Sequence, residues 1–409
     1  MRIKGQTGMG GARHKILAVF ALLAVYLVCV SFTHSRQEKA AANEDATQEL
    51  GTEVEEIVEE IDLSELEAYL ATLSGEQLSI LAPSGIKNRI KAMIGGNMHA
   101  DSTSFLSYIG ALLGENVLRI LPTILAVIAI AVAFNVLSSL RGKFAADSVQ
   151  NIVYFACVSL LIVLLFAQVF AVFSAVKSTV QTLQKQMRLL FPILLTLMTA
   201  IGAGSSVAVY RPGVAILSSG IASLITAIVL PAFIVSVVLT AIGHLTDGVK
   251  LGKLSDFFGS ASKWLLGTAF FLVSAFMAVQ GITASVYDGV SVRTAKFALS
   301  KYVPVIGGYL SDGLNLVMSG SVLVKNAVGS TAMILLFLSV LPIVVQIVVL
   351  SLGLRFAAAV SEPLGDSRIS GLIEGIAKNL TMLVAVVLAV AFLYFIFLVL
   401  IVCTGNLAI

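Results

Sequence analysis

The feature that most constrains this chain is a series of long apolar stretches, which begins near residue 120 and continues almost to residue 409. Each stretch is close to the roughly twenty residues that an α-helix needs to cross the hydrocarbon core of a bilayer. Apart from residues 285–330, the intervals between them are short, so they leave little chain for a separate water-soluble core. We predict seven spans: Ile120–Leu140, Ile152–Val176, Leu189–Val209, Val214–Ile242, Trp264–Ala284, Thr331–Leu354 and Thr381–Val402.

Composition agrees with a membrane protein. Charged residues make up 12% of the 409 residues and hydrophobic residues 58%, whereas soluble globular domains carry about 25% charged residues. This balance excludes a cytosolic enzyme, a disordered protein and a free nucleic-acid-binding domain. The predicted fold class is therefore all-α: a polytopic transmembrane helix bundle with a short N-terminal extracytoplasmic helical segment.

The formal net charge of +3 is the sum of three unlike blocks. Residues 1–42 contain six basic residues and one acidic residue, and the stretch from Glu44 to Glu67 contains eleven acidic residues and no basic one. The rest of the chain carries twenty basic and eleven acidic residues. We accordingly divide the chain into a targeting segment (1–42), an acidic extracytoplasmic helical segment (43–118) and a multi-span membrane domain (119–409).

Residues 1–42 resemble a secretory signal peptide. Basic residues up to Lys15 precede an apolar run from Ile16 to Phe32, and the small residues from Ala40 to Ala42 offer a cleavage point. The apolar run is slightly long for a signal peptide, and a polar stretch separates it from Ala42. An uncleaved signal anchor is therefore the alternative.

The acidic segment is the one long water-soluble stretch of the sequence. Apolar residues from Val54 to Ile61 recur at helical spacing among glutamates. Ser64, three residues before Glu67, predicts a capping box at the start of a second helix. Two interpretations remain open: amphipathic helices that pack on each other, or a docking surface for a basic partner outside the cytoplasm.

Motifs for enzyme chemistry are missing from the sequence. It contains no H-E-x-x-H, no G-x-x-x-x-G-K-[ST] and no G-x-S-x-G. The four histidines have no metal-ligand spacing, and the three cysteines lie in apolar runs, which argues against a disulfide. We therefore expect a protein that is not an enzyme and that needs no metal or cofactor.

Residues 285–330 are too polar for a simple span and too apolar for a loop. Arg293 and Lys296 share a helical face, and the residues from Pro304 to Gly308 should break the helix. The segment is either a re-entrant or broken element that lines a passage, or a pair of amphipathic helices in the membrane interface. The candidate pathway or assembly residues are Asp288, Arg293, Lys296, Pro304, Gly307, Gly308, Asp312 and Lys325.

The same segment carries a resemblance to a known family. Its distinctive pieces, between residues 281 and 329, are DG (288–289), RTAKF (293–297), PVIGG (304–308), SD (311–312) and LVKNAVG (323–329). In these motifs, and in the order of signal, acidic segment and spans, the chain resembles the stage III sporulation protein AE family of endospore-forming bacteria.

That resemblance implies a multi-pass protein of the mother-cell membrane around the forespore. Members belong to the stage III sporulation A complex, which is joined to a forespore membrane protein and resembles specialised secretion machines. The expected role is a permease-like or structural subunit of this channel complex, with its N-terminal segment extracytoplasmic, that supports forespore integrity and late gene expression. No catalytic residues follow from the family. The fourth span contains Pro231, so it should be kinked or consist of two half-helices. The alternative function, based on this broken span and the charged 285–330 segment, is a stand-alone secondary transporter.

Overall fold

The computed structural model describes residues 44–81, 86–94, 102–139, 147–245, 251–302, 307–363 and 367–404. Within these ranges nearly every residue is helical and none forms a strand. The prediction of an all-α polytopic bundle is confirmed. The signal peptide or signal anchor predicted for residues 1–42 lies outside the described residues.

Four short helices form the N-terminal segment: α1 (Glu44–Glu60), α2 (Ser64–Leu70), α3 (Gly75–Leu81) and α4 (Ile86–Ile94). The face of α1 that contains Val54 and Val58 is buried, as the helical spacing predicted. Across the segment, Lys91 Nζ donates to Glu55 Oε1 at 2.6 Å, and this contact lowers the pKa of the exposed Glu55 carboxyl.

The predicted start of α2 at Ser64 is confirmed, but the predicted capping box is wrong. No side chain caps α2 from its N-cap residue, Leu63. Instead Ser64 donates from its backbone N (3.0 Å) and its Oγ (2.5 Å) to Asp62 Oδ1, which lowers the pKa of that exposed carboxyl. Asp62 thus takes the acceptor role that the pattern assigned to Ser64.

Six long helices follow: α5 (Ser102–Ser139), α6 (Asp147–Ala200), α7 (residues 204–245), α8 (Gly252–Tyr302), α9 (Gly307–Ser361) and α10 (Ser367–Cys403). In the described part of the chain these six are long and apolar enough to cross a membrane. The seven predicted stretches therefore fall on six helices.

The difference arises at the third stretch, Leu189–Val209, which we predicted as one span. A turn at residues 201–203 separates the end of α6 from the start of α7. The amide of Gly202 bonds Thr199 O at 3.0 Å and that of Ala203 bonds Met198 O at 2.9 Å, the Schellman pattern of a helix end. Gly202 has φ +78°, a conformation that glycine adopts without a Cβ penalty.

The fourth stretch, which we expected to be kinked or split at Pro231, is one continuous helix with local π-helical turns. α7 runs as α-helix over Gly204–Ala215 and Leu230–Leu245, with π-helical turns at Ile216–Ile221 and Ile225–Val229. Pro231 has no N–H for the carbonyl four residues earlier, and that carbonyl lies in the second π-helical turn. The wider turn accommodates the missing bond without ending the helix.

α10 lies in the centre of the bundle. In the most apolar part of α10, 61% of the helix is buried inside the protein, against 17% in the most apolar part of α8. α7 and α9 run antiparallel to α10, since Tyr210 and Lys325 lie by its end, at Thr404, while Thr240 lies by Gly375 near its start. Large exposed apolar side chains such as Phe170 on α6 and Trp264 on α8 lie on the outside, where lipid would cover them.

All six long helices exceed the roughly twenty residues that a bilayer requires, and three of them do so by the widest margin. α6, α8 and α9 contain 54, 51 and 55 residues, or roughly 80 Å at about 1.5 Å per residue. A hydrocarbon core is only about 30 Å thick. These helices are therefore long enough to project beyond the hydrocarbon. The described residues of the 285–330 segment form the end of α8 and the start of α9.

Candidate functional site

The carboxylate of Asp288, on α8, caps the first turn of α7. The backbone N of Ser205 donates to Asp288 Oδ1 at 2.8 Å and that of Ser206 to Oδ2 at 2.9 Å. The N-cap residue of α7 is Ala203, whose methyl group cannot accept a hydrogen bond. Asp288 is only 5% exposed. A buried carboxylate is stabilised here because the amides and the positive end of the helix dipole face it.

The turn before α7 and this face of α8 pack tightly. Val292 follows Asp288 by one helical turn and lies on the same face. A Cβ added to Gly202 would lie 2.6 Å from Val292 Cγ2. Glycine at 202 thus serves two purposes, the left-handed turn and the close approach of α8.

A second buried charge, Lys325 on α9, binds the end of α10. Its Nζ donates to the backbone oxygen of Thr404, and its side chain is fully buried. Thr404 Oγ1 donates to Leu400 O at 2.7 Å and lies 2.9 Å from Tyr210 Oη. Because a threonine hydroxyl has one proton, Tyr210 donates to Thr404.

We use the name charged cluster for Asp288, Lys325, Tyr210 and Thr404. Thr404 is hydrogen-bonded to both Lys325 and Tyr210, and Asp288 lies within electrostatic range of Tyr210. One turn from Lys325, a Cβ on Gly329 would lie 2.2 Å from Val402 Cγ2, so α9 and α10 touch closely. The ring of Phe397 packs edge-on against Tyr210 at 6.0 Å. Such an arrangement fixes helix ends relative to each other and buries charge inside the bundle.

The structure places the predicted residues in two groups. Asp288 and Lys325 are buried in the charged cluster, whereas Arg293 and Asp312 are exposed and Lys296 is half-buried. Gly307 and Gly308 begin α9, and Pro304 lies outside the described residues.

Sequence reasoning missed the partners of the buried charges. Tyr210, Ser205, Ser206 and Thr404 lie outside the 285–330 segment from which the candidate residues came. No periodicity marks these positions, because their roles depend on contacts between distant helices.

A second polar group, the hydroxyl cluster, lies toward the other end of α10 and was not predicted. Ser255 Oγ lies 2.9 Å from Ser236 Oγ and 2.8 Å from Thr240 Oγ1. Asn379 Nδ2 donates to Thr240 Oγ1 at 2.9 Å, and His244 Nδ1 lies 2.7 Å from Thr240 O. These bonds connect α7, α8 and α10 inside an apolar bundle, where polar side chains hold helices together.

Among the residues that the structure describes, no group of three or more His, Cys, Asp and Glu side chains could hold a metal ion. Asp288 and Lys325 are each bonded to backbone groups of another helix, so their geometry is that of positioning contacts.

Comparisons with known proteins agree on one family. The sequence model described as "Stage III sporulation protein AE (spore_III_AE)" matches residues 84–405. A curated relative from Bacillus subtilis (strain 168), named "Stage III sporulation protein AE", is 25% identical over 390 residues, which cover 94% of this chain and 97% of the relative. No solved structure matches the chain.

Proposed function

The chain belongs to the stage III sporulation protein AE family, and from this premise we propose that it is a permease-like or structural subunit of a secretion-like channel complex. This complex would link mother cell and forespore during endospore formation, and the subunit would support forespore integrity and late gene expression. The observation that carries the proposal is the charged cluster inside a multi-pass bundle, with Asp288 and Lys325 both in the matched region.

Buried charges in a membrane protein are retained where they serve a pathway or an assembly. The two here each bond a helix terminus, so they hold α7 and α10 in place at the end of the bundle. The exposed Arg293 and Asp312 on the adjoining ends of α8 and α9 are available to other subunits. This division into buried and exposed charges supports a non-catalytic role. The buried charges keep the shape of the subunit, and the exposed charges contact other subunits.

We place the protein in the mother-cell membrane around the forespore, with the N-terminal segment extracytoplasmic. The exposed carboxylates of α1, such as Glu56 and Glu59, support a location in water. The partners we propose are other subunits of the stage III sporulation A complex and, through it, a forespore membrane protein.

Co-purification from sporulating cells tests this role. An affinity-tagged chain should be isolated together with other subunits of the stage III sporulation A complex. Replacing Arg293 and Asp312 singly by alanine should leave the protein level unchanged, reduce this co-purification and lead to forespore collapse. Recovery of the chain alone from mild detergent, with wild-type sporulation in both variants, would contradict the proposal.

A second candidate, a stand-alone secondary transporter, is favoured by one observation. The helix break at residues 201–203 puts the N-terminus of α7 against a buried carboxylate, and broken helices form the substrate sites of many transporters. A transporter should work without partners. Ion-coupled uptake by the purified chain in liposomes would support it, and the channel-complex proposal would then be wrong.

A further inference from the structure

The second half of α6 carries a basic face. Lys177, Lys185 and Arg188 are all exposed, and at positions i, i+8 and i+11 they lie on one side of the helix. Within the part of the chain that the structure describes, none of the three is in an ion pair. Arg188 instead reaches α7, where its Nη2 lies 3.4 Å from Ser219 Oγ. We refer to these three residues as the basic face.

The basic face points away from the N-terminal segment of its own chain. Gln186 lies between two residues of the basic face in the sequence, but its side chain is fully buried. Its Nε2 donates to Tyr69 Oη of α2 at 2.8 Å and to Ser339 Oγ of α9 at 2.7 Å. Because successive residues of a helix are about 100° apart, Arg188 and Lys177 lie on the side of α6 opposite Gln186. The N-terminal segment is therefore on one side of α6 and the basic face on the other.

The opposite charge is exposed on the other side of α6 at the same level. The stretch from Glu44 to Glu67 contains no basic residue, and Glu65 and Glu67 are exposed on α2. Both glutamates lie within about one helical turn of Tyr69, the residue that Gln186 binds. The two basic residues on either side of Gln186 are also within a turn of that bond. The Gln186–Tyr69 hydrogen bond thus places carboxylates and basic side chains at one level of the bundle, on opposite sides of α6.

The surface of α7 beside the basic face consists of small residues. Ser219, which Arg188 contacts, is exposed together with Gly220 and Ser223. A Cβ on Gly220 would meet Ile216 Cγ2 of its own helix, at 3.8 Å. Small side chains let another helix approach closely. This surface therefore leaves room for an incoming helix to bring carboxylates near the basic face.

We propose that the basic face binds the acidic stretch, residues 44–67, of a second copy of this chain. Two copies that stand side by side in one membrane have corresponding residues at the same level. The basic face of the first copy then meets Glu65 and Glu67 of the second. A second copy fits this surface because it supplies the opposite charge at the required level, and complementary charges orient such a contact.

The proposed contact is head-to-tail. The two complementary surfaces lie on opposite sides of one molecule, so each copy can bind one neighbour through each surface. A two-fold symmetric contact through either surface would bring like charges together. Repetition of the head-to-tail contact gives a closed ring or an open row, according to the rotation between copies. The inference goes beyond the proposed function and does not depend on it.

Cross-linking between differently tagged copies tests the contact. Two full-length chains without their natural cysteines are expressed together in sporulating cells, one with Glu65→Cys and the other with Lys185→Cys. An ion pair holds two Cβ atoms further apart than a disulfide does, so a short bis-maleimide is the cross-linker. It should give a product that carries both tags. Lys263→Cys, at an exposed basic residue in the half of α8 that contributes to the hydroxyl cluster, replaces Lys185→Cys as the matched control and should give none.

Charge exchange measures whether electrostatics holds the copies together. Lys185→Glu with Arg188→Glu should lower co-isolation of the two tagged copies by about fivefold or more, because like charges then face each other. Adding Glu65→Lys and Glu67→Lys to the same chain makes the two surfaces complementary again and should restore co-isolation.

The control for charge exchange is Lys253→Glu with Lys263→Glu, which reverses two exposed charges on α8 and should leave co-isolation unchanged. All variants are compared at equal protein level. Equal cross-linking at positions 185 and 263, or no product at either, would overturn the proposal, and so would a charge exchange that fails to restore co-isolation. A product between position 185 and a different protein, with none between copies, would assign the basic face to that protein and overturn the proposal as well.

Discussion

At the scale of residues, the charged side chains of the 285–330 segment have different environments despite their similar sequence setting. Asp288 is buried and caps α7, while Asp312 is exposed on α9. Lys325 is buried against Thr404, while Arg293 is exposed. A charged side chain on one helix is tolerated inside the bundle when it hydrogen-bonds the backbone at the end of another helix.

The capping role of Asp288 can be tested by substitution. Asp288→Ala leaves the amides of Ser205 and Ser206 without an acceptor, so we expect a loss of about 1–3 kcal/mol in the free energy of unfolding. Asp288→Asn keeps one acceptor oxygen and should cost less. The measurement is unfolding of the purified protein in detergent, followed by circular dichroism.

Asp312→Ala provides the matched control, since it removes an exposed carboxylate from the adjoining helix. It should change the unfolding midpoint little. If Asp288→Ala proved as mild as Asp312→Ala, the carboxylate would not be holding α7 in place.

At the scale of elements, the apolar pattern located the helices but did not locate their ends. The turn at residues 201–203 interrupts a stretch that is apolar throughout, because Gly202 and the cap from Asp288 together end one helix and start another. At Pro231 the opposite occurs, and a π-helical turn lets the helix continue. Proline and glycine therefore mark possible breaks, and neighbouring helices decide which breaks form.

The turn at residues 201–203 can be tested by substituting Gly202, with the nearby Gly204 as the control. Gly202→Ala places a Cβ in a left-handed conformation and 2.6 Å from Val292, so we expect destabilisation by about 1–3 kcal/mol. Gly204→Ala, two residues later, meets nothing within 4 Å. It should be neutral or slightly stabilising, because alanine favours the helix more than glycine.

Thermal unfolding midpoints of the two variants in the same detergent are the measurement. A similar decrease for both would mean that helix propensity at this turn, rather than the left-handed conformation and the contact with Val292, sets its stability.

At the scale of the whole molecule, the N-terminal segment packs along α9. Its contacts reach from Gly320, beside Val54 and Ile57, to Leu338, beside Gln77. The exposed glutamates of α1 require water, so we infer that the part of α9 around Gly320 lies beyond the hydrocarbon core.

A disulfide can test this packing in the intact protein. A Cβ on Gly320 would lie 3.8 Å from Val54 Cγ2, so cysteines at these two positions would have their sulfur atoms within reach of each other. In a chain without its natural cysteines, Val54→Cys with Gly320→Cys should form a cross-link under mild oxidation, seen as a gel-mobility change that a reductant reverses. Glu59→Cys with Gly320→Cys should not, because Glu59 is on the exposed face of α1. Equal cross-linking of both pairs would show that the segment is not held in this position.

The sequence by itself determined the all-α membrane class, the approximate position of each apolar helix and the family, because hydrophobic runs and a long local motif are properties of neighbouring residues. It also singled out Asp288 and Lys325 among the candidates. Only the tertiary structure decided that these two are buried while Arg293 and Asp312 are exposed, and that Gln77 bonds the Leu338 carbonyl, for which Pro342 has no N–H. The physical reason is that a buried polar group is stable only beside a partner, and these partners come from helices far apart in the chain.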